Sequence, residues 1–452
     1  MDRFDIAVIG GGAAGMLAAA VAAEKGARVL LIERNSVPGA KLRITGKGRC
    51  NLTNDCAVSD VLENLVNGAR FMHSSVNGFS PLDAMRLFER LGVPLKTERG
   101  ARVFPQSDKA SDVAEALQRY MLKSGVALKC ARAAGITAEA VQQSAGAATA
   151  DTQQSAGAVI SDAQQSARAA GITAAGERRA TGVRLPEGEV PCSAVILATG
   201  GMSYPSTGST GDGYDMAREL GHTVAPLSAS LVPLTAEGET CARLQGLTLK
   251  NVRVSVYDGG TRPVFEDFGE LLFTHFGLSG PLALSASAHM RDIGSKNYYT
   301  LVDLKPALDE KKLDQRILRD FEKYSNKDFS NALGDLLPKS MIPVLIDMSG
   351  IDPAAKVHSI TREQRRAFVA LIKSMRFNIS GFRPVEEAIV TSGGVELKEI
   401  NPKTMESKLV HGLYFAGEII NADGYTGGFN LQIAWSTAYA AAQSAVSAIK
   451  AQ

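Results

Sequence analysis

The sequence is poor in the residues that mark several specialised classes of protein. Its 452 residues include a single tryptophan and five cysteines, and no two cysteines form a CxxC pair. This pattern argues against a disulfide scaffold, a zinc ribbon and a redox-active dithiol. We therefore expect no metal site, and we expect the protein to work in a reducing compartment, the cytoplasm.

An excess of charge and a long apolar run are also missing. The formal net charge is +2, so we expect neither a nucleic-acid partner nor a membrane partner. No apolar run reaches the ~18–20 residues of a membrane span, and the N-terminus carries no secretory signal pattern. With 45% apolar and 21% charged residues, the composition is that of a globular protein with room for two or three domains.

The stretch from Asp5 to Asn35 carries the strongest motif. A short apolar strand is followed by Gly10-x-Gly12-x-x-Gly15, an alanine-rich helix and a second strand that ends at Glu33. The first two glycines allow a tight turn close to a pyrophosphate, and Gly15 allows the helix to pack on the strand. Glu33 is placed to accept hydrogen bonds from an adenosine ribose. The stretch therefore predicts a dinucleotide site on a Rossmann-type fold.

The loop that follows, residues 38–54, is rich in glycine and in cations. Lys41, Arg43, Lys47 and Arg49 lie within nine residues of one another. One interpretation is a solvated basic loop, and the other is a second clamp on the cofactor phosphates, in which arginine makes bidentate contacts. The next residue, a cysteine, is either simply packed or a chemical participant.

Residues 131–174 repeat with a period of 11. The first and last of the four units share the sequence ARAAGITA. We interpret the units as tandem duplications inside a surface hairpin, because their Ala/Gln/Ser/Gly composition offers little apolar surface to bury. A disordered insert and a helical excursion both fit this period, and we assign the repeats no chemistry.

Two later stretches place glycine-rich turns directly after apolar strands. The strand at 194–197 leads into Ala198-Thr-Gly-Gly201, and the strand at 412–416 leads into Gly417-Glu418. A GGFN sequence then precedes a long alanine-rich helix predicted from Ile433. The positive end of that helix would face the electron-rich edge of an isoalloxazine ring, and the glutamate would face the ribityl hydroxyls.

The chain between these stretches has a different pattern of apolar and polar residues. Short alternating runs predict β-strands across residues 228–304, among them separate strands at 264–268 and 270–274, and charged helices follow at 307–340 and 361–374. We therefore predict three parts, namely a first segment of the dinucleotide-binding domain at 1–225, an inserted domain at 226–385 and a second segment at 386–452.

These stretches together resemble one known family. The YhiN/BaiN-type FAD-binding flavoproteins, an aminoacetone-oxidase-like group of NAD(P)/FAD-dependent oxidoreductases, have motifs similar to VIGGGAAG, GAKLRITGKGRCNLTN, ATGGMSYPSTGSTGDGY, LLFTHFGLSGP, TSGGV and FAGEIINADGYTGGFNLQIAWSTA. The resemblance spans residues 3–448 apart from the repeats. It implies an α/β fold with FAD as cofactor: a glutathione-reductase-type, Rossmann-like FAD-binding domain in two segments, interrupted by a β-barrel and a helical part.

The resemblance also implies roles for individual residues. The ADP half of FAD would be held by Gly10, Gly12, Ala13, Ala14, Gly15, Glu33 and Arg34. The phosphate and flavin side would be lined by Lys41, Gly48, Arg49, Cys50 and Asn51. The ribityl chain and the ring would be enclosed by Thr199, Gly200, Gly417, Glu418, Gly428, Asn430, Gln432 and Ile433.

For catalysis we expect an imidazole or a phenol beside the ring. Tyr204 and Tyr425 are candidate proton donors or anchors. His275 lies between two phenylalanines, so it is either a functional residue on the substrate side or a packed core residue.

The residues and the resemblance point to an FAD-dependent oxidoreductase. We expect hydride transfer between FAD and an unidentified small organic substrate, with NAD(P)H as the reductant. Because the sequence has only one clear dinucleotide fingerprint, the nicotinamide would bind transiently over the flavin. Two alternatives stay open: an FAD-dependent enzyme that modifies tRNA, and a non-catalytic FAD-binding sensor. The sequence leaves the oligomeric state undetermined.

Overall fold

The fold is given by a computed structural model that describes residues 3–140, 178–290 and 293–451. Within these ranges a mixed α/β domain is built from both ends of the chain, and a β-barrel with accompanying helices is inserted between them. None of the helices in these ranges is both long and apolar enough to cross a membrane.

Helices occur in all parts of the described chain. In chain order they are α1 (Ala13–Glu24), α2 (Ala40–Ile44), α3 (Val58–Glu63), α4 (Ala69–Gly78), α5 (Pro81–Arg90), α6 (Ala110–Lys123), α7 (Asp212–Glu219), α8 (Thr240–Arg243), α9 (Gly280–Ser287), α10 (Glu310–Lys323), α11 (Phe329–Ala332), α12 (Ile342–Ser349), α13 (Arg362–Lys373) and α14 (Phe429–Lys450).

Most strands are short. They are β1 (Phe4–Ile9), β2 (Val29–Glu33), β3 (Thr53–Asn54), β4 (Leu65–Asn67), β5 (Leu95–Glu98), β6 (Arg102–Pro105), β7 (Ala127–Cys130), β8 (Gly135–Ala140), β9 (Arg178–Leu185), β10 (Gly188–Leu197), β11 (Val224–Ser230), β12 (Leu234–Ala236), β13 (Thr248–Tyr257), β14 (Phe265–Thr274), β15 (Gly277–Ser279), β16 (Tyr298–Asp303), β17 (Met375–Phe382), β18 (Val390–Val395), β19 (Val410–His411), β20 (Leu413–Phe415) and β21 (Asp423–Gly424).

A largely parallel sheet forms the centre of the α/β domain. Its strands lie in the order β19-β9-β10-β1-β2-β7, with β20 paired to β10 and β8 paired to β9. In β1, residues 6–9 are buried and uniformly apolar, as expected for a strand covered on both faces. Helix α1 is likewise buried along most of its length, because α6 and α14 pack on it. The predicted two-segment Rossmann-type fold is confirmed.

The insert contains a closed barrel with the strand order β12-β15-β14-β13-β16-β17. The separate strands predicted at 264–268 and 270–274 are one strand, β14, in which Gly269 continues the ladder opposite Val252. Helix α9, which leaves the barrel after β15, was not predicted. Helices α10 to α13 share an apolar core with the barrel, in which Phe329 is fully buried. The inserted barrel and its helical part, implied by the resemblance, are confirmed.

The start of the repeats is a regular strand. Strand β8 begins at Gly135, inside the first repeat unit, and pairs antiparallel with β9. Ile136 is buried opposite Val183, so this unit contributes to the domain core despite its weak composition. The later repeats, from residue 141 to 174, lie outside the described residues.

The single tryptophan lies in the core of the α/β domain. Trp435 on α14 is fully buried, and its indole N–H donates to the Leu52 carbonyl oxygen at 3.0 Å. Its ring centroid lies 5.3 Å from that of Phe88, which is also fully buried on α5. This aromatic contact fastens α5 to the C-terminal helix.

We expect Phe88→Ala to lower the free energy of unfolding by roughly 3–5 kcal/mol, because it removes a buried ring and leaves a cavity. Since Trp435 is the only tryptophan, its emission reports the urea transition directly. Leu82 on the same helix is 51% exposed, so Leu82→Ala should change the value by less than about 0.5 kcal/mol. Equal losses for the two variants would contradict this packing.

Candidate cofactor and substrate site

The turn from β1 into α1 leaves space only for glycine. A Cβ atom on Gly15 would lie 1.8 Å from the Gly10 carbonyl oxygen, and one on Gly10, at φ 101°, would lie 2.5 Å from a carbonyl oxygen after β10. Beside this turn, the Glu33 carboxylate accepts from Gly11 N at 2.6 Å and from Asn35 N at 2.8 Å. The acid is thereby held in place at the mouth of the turn.

A second helix begins at the same cleft. Helix α14 follows Gly427 and Gly428, whose φ angles of 131° and 99° favour glycine. No side chain in the described ranges caps the N-terminus of α1 or of α14, so both present backbone N–H groups. Residues at both N-termini line one cleft. Two positive helix ends suit an anionic, electron-rich ligand such as a flavin dinucleotide.

Thr199 lines this cleft, but its hydroxyl is buried in the protein. A Cβ atom on Gly213 would lie 2.0 Å from the hydroxyl oxygen, so the backbone of α7 approaches it closely, and it has no hydrogen-bond partner among the described residues. The fit of the site to a cofactor therefore rests on the backbone. At Gly10 and Gly428 a Cβ atom would collide with backbone atoms, and the two uncapped helix ends adjoin these glycines, so the site fits a dinucleotide such as FAD.

An ion pair joins the cationic loop to the C-terminal segment inside the cleft. Lys41 Nζ lies 2.7 Å from Glu418 Oε2 and donates to Ser203 Oγ at 2.7 Å. Glu418 Oε1 accepts from Thr391 N at 2.8 Å. The sequence suggested direct cofactor contacts for both charged residues. Both line the cleft, but their polar atoms already hold each other and the adjoining chain.

Sequence reasoning missed a second charged cluster beside Glu33. Arg34 donates to Thr210 Oγ1 at 2.6 Å, and Arg132 Nε donates to Asp212 Oδ2 at 2.8 Å. Burial opposes ionisation of Asp212 and is the largest single effect, but the hydrogen bonds from Arg132 and Thr210 and the charges of Arg132 and Arg34 together outweigh it and lower the pKa of that carboxyl. Arg132 was overlooked because it lies in the repeats, to which we assigned no chemistry. For Thr210 and Asp212, the GSTGDGY motif was the signal in the sequence that could have revealed the cluster.

Most of the predicted cofactor residues line the cleft. They are Gly10, Gly12, Ala13, Ala14, Glu33, Arg34, Lys41, Asn51, Thr199, Gly200, Gly417, Glu418, Gly428, Asn430 and Ile433. The Asn430 side chain is itself engaged in the preceding turn, where its amide bonds both the N–H and the carbonyl of Gly424.

Five predicted cofactor residues do not line the cleft. Gly15 packs behind it, and Gly48 has a φ of 82° with open space around it. Arg49 turns away to form ion pairs with two acids on and after the β5–β6 hairpin. Cys50 is fully buried, and burial raises the pKa of its thiol to about 12. Gln432 is fully buried and bonds to chain segments behind α14.

The structure separates the three predicted catalytic residues. Tyr425 lines the cleft. Tyr204 does not, and its backbone has a left-handed φ of 53° before a short 3-10 turn. His275 is exposed on the tight turn between β14 and β15, where its ring meets the edge of Phe276 at 5.0 Å. It is therefore neither a cleft residue nor the packed core residue that we considered as the alternative.

The cysteines should differ sharply in reactivity. All five are free, and only Cys130 is exposed, whereas Cys56 is half-buried. Burial raises the pKa of both Cys50 and Cys192 to about 12. We expect a thiol reagent to label Cys130 first, and the buried thiols only in denaturant. Cys130→Ser should abolish the fast phase of labelling. Loss of that phase in Cys50→Ser would instead identify Cys50 as the reactive thiol and contradict the prediction.

Comparisons with known proteins identify the family of this chain. A family model described as the HI0933-like protein Rossmann domain matches residues 4–185 and 163–444. The ribosomal RNA dihydrouridine synthase of Escherichia coli (strain K12) is 30% identical over 451 residues, covering 99% of both chains. The 3-dehydro-bile acid delta(4,6)-reductase of Clostridium scindens is also 30% identical, covering 97% of this chain and 98% of the relative.

A solved structure supports the fold. The 3-ketosteroid delta1-dehydrogenase from Sterolibacterium denitrificans superposes with a TM-score of 0.51 at 11% identity, covering 99% of this chain and 100% of that chain. The matched family model and the two relatives each cover nearly the whole chain, as the resemblance of the motifs implied. The chain therefore belongs to the HI0933-like family of FAD-binding Rossmann proteins, and it is an FAD-dependent oxidoreductase.

Proposed function

We propose that the protein reduces a carbon–carbon double bond conjugated to a carbonyl group. The names of both relatives describe this chemistry. Dihydrouridine is uridine whose C5–C6 double bond has been reduced. The name of the delta(4,6)-reductase of a 3-dehydro-bile acid describes action on double bonds that are conjugated to a ketone. In both cases the carbonyl polarises the double bond, so that the far carbon accepts a hydride and the near carbon a proton.

The presence of Tyr425 in the cofactor cleft is the observation that carries this proposal. Reduction of a conjugated double bond needs a hydride donor and a proton donor at one site. FAD supplies the hydride when it is bound, and Tyr425 offers a phenol in the same cleft. Burial, with a smaller contribution from the Asp267 carboxylate, raises the pKa of Tyr425, so the phenol keeps its proton at neutral pH.

The proposed placement of FAD follows from the two helix ends. Gly10, Gly12 and Glu33 would hold the ADP half at the N-terminus of α1, and the flavin would lie toward Thr199 and Gly428 at the N-terminus of α14. We propose NAD(P)H as the reductant, binding transiently over the flavin. We also propose the cytoplasm as the location, which the five free cysteines support.

Two substrates carry the proposed bond, and different observations favour them. A small, apolar enone agrees with the net charge of +2 and with the name of the bile-acid reductase. A uracil ring in RNA agrees with the names of the relatives from Escherichia coli and Haemophilus influenzae, which are 30% and 28% identical. The alternative of an RNA-modifying enzyme therefore stays beside the small-molecule proposal, with the same chemistry at the ring.

We expect NADH or NADPH to bleach the flavin absorbance of the holoenzyme under anaerobic conditions. A conjugated enone, 2-cyclohexenone, or ribosomal RNA freed of protein should then restore the absorbance, and mass spectrometry should detect the saturated ketone or dihydrouridine. Cyclohexanone, which lacks the double bond, is the matched control and should restore nothing. Recovery with oxygen alone, and with neither conjugated acceptor, would contradict the proposal.

A further inference from the structure

The phenol of Tyr425 is in contact with a histidine from the inserted domain. His289 Nε2 lies 2.5 Å from the Tyr425 hydroxyl oxygen, and the two ring centroids are 5.5 Å apart. His289 does not line the cleft, so the tyrosine lies between the histidine and the proposed substrate. The sequence analysis did not single out His289, because no motif surrounds it.

Both members of this pair are held in place by their own segments. Tyr425 N donates to the Asn64 carbonyl oxygen at 3.0 Å, and Asn430 ties the turn that carries the tyrosine. On the other side, His289 N donates to the Ala286 carbonyl oxygen at 3.0 Å at the end of α9.

Two residues of the barrel strand β14 lie near the pair. The ring of Phe265, at the start of β14, lies 5.4 Å from the His289 ring and is itself buried. Asp267 on the same strand is close enough to act electrostatically on Tyr425. Phe265 therefore packs against the imidazole, and the phenol of Tyr425 lies within hydrogen-bond distance of its Nε2 atom.

We propose that Tyr425 and His289 form a proton-delivery pair for the reaction at the flavin, with Tyr425 as the catalytic acid and His289 as the residue that positions and re-protonates it. This inference rests on the proposed function, and it assigns to the inserted domain a direct part in the chemistry. The segment after α9 in the inserted domain then contributes the second residue of the pair.

The proposed step balances in atoms and electrons. The π bond of the conjugated alkene breaks, and its far carbon would receive a hydride that bound FAD would supply, with two electrons that come from the nicotinamide reductant. The carbon next to the carbonyl forms a C–H bond with the proton of the Tyr425 hydroxyl. The phenolate that remains takes the Nε2 proton of His289, and solvent returns a proton to the imidazole.

A competing explanation treats the same contact as a structural clamp. The hydrogen bond joins the inserted domain to the second segment of the FAD-binding domain. If it is only a clamp, its loss weakens the attachment between these two parts. A clamp would affect every acceptor alike, whereas a proton-delivery pair affects only acceptors that need a proton from the protein. A nitroalkene such as 1-nitrocyclohexene makes this distinction, because hydride addition yields a nitronate that is stable without protonation.

The experiment is a stopped-flow comparison of the photoreduced holoenzyme mixed with 2-cyclohexenone or with 1-nitrocyclohexene. We expect Tyr425→Phe to slow flavin reoxidation by the enone roughly 10²–10⁴-fold and to leave reoxidation by the nitroalkene unchanged. His289→Ala should slow the enone reaction roughly ten- to a hundredfold. His289→Gln should recover part of that loss, because its amide N–H can still donate to the phenolate oxygen.

Matched substitutions report on general damage. Tyr257→Phe in the barrel and His73→Gln on α4 change the same residue types away from the cleft, and both should react at the wild-type rate with both acceptors. Nuclear magnetic resonance of the apoprotein gives a readout without turnover, in which Tyr425→Phe should shift the imidazole nitrogens of His289 but not those of His73. Unshifted His289 signals would overturn the pairing.

The outcomes separate the two proposals. Equal rates for wild type and Tyr425→Phe with the enone, or equal slowing with both acceptors, would overturn the proton-delivery pair and leave double-bond reduction standing. A wild-type enzyme that neither acceptor reoxidises, and that also leaves ribosomal RNA unreduced, would overturn the proposed function and the pair with it.

Discussion

The close contact between α1 and the end of β1 is the constraint on which the rest of the structure depends. With no side chain on Gly15, the helix lies directly on the carbonyl of Gly10. This closeness buries α1 between the sheet and the helices α6 and α14, and it leaves the first N–H groups of α1 facing an open cleft. A larger residue would separate helix and strand and would disturb the core and the cleft together.

The same close contact also determines where the C-terminal helix α14 lies. Because α14 packs along α1, its N-terminus reaches the same cleft, and the glycines before it bring the backbone close to β3. The polar atoms near it fall into two groups. Lys41 and Glu418 satisfy each other, whereas the N–H groups at the two helix ends have no side-chain cap among the described residues, so the helix ends are the groups that a ligand can bind.

Local sequence predicted well what depends on neighbours along the chain. The glycine fingerprint and the helix after GGFN are local patterns, and the structure contains both, although the helix begins at Phe429 rather than at Ile433. The barrel strands were predicted less completely, because two predicted strands form the single strand β14 and β17 lies outside the predicted run. Arg49 illustrates what such patterns omit, because its side chain pairs with Glu98 and Asp108, which lie on and just after a hairpin about 50 residues further along the sequence. Arg132 shows the opposite: no motif marked it, but folding brings its guanidinium to Asp212 at the cleft.

By itself, the sequence determined the class of fold and the dinucleotide cofactor, and it predicted many of the residues that line the cleft. Backbone geometry at glycines and strand periodicity are local properties, so they can be read without coordinates. Only the tertiary structure decided which side chains face the cleft and which face the core, as with Cys50 and Gln432. It also decided that His289 meets Tyr425, because that contact joins residues 136 positions apart, and no local pattern specifies it.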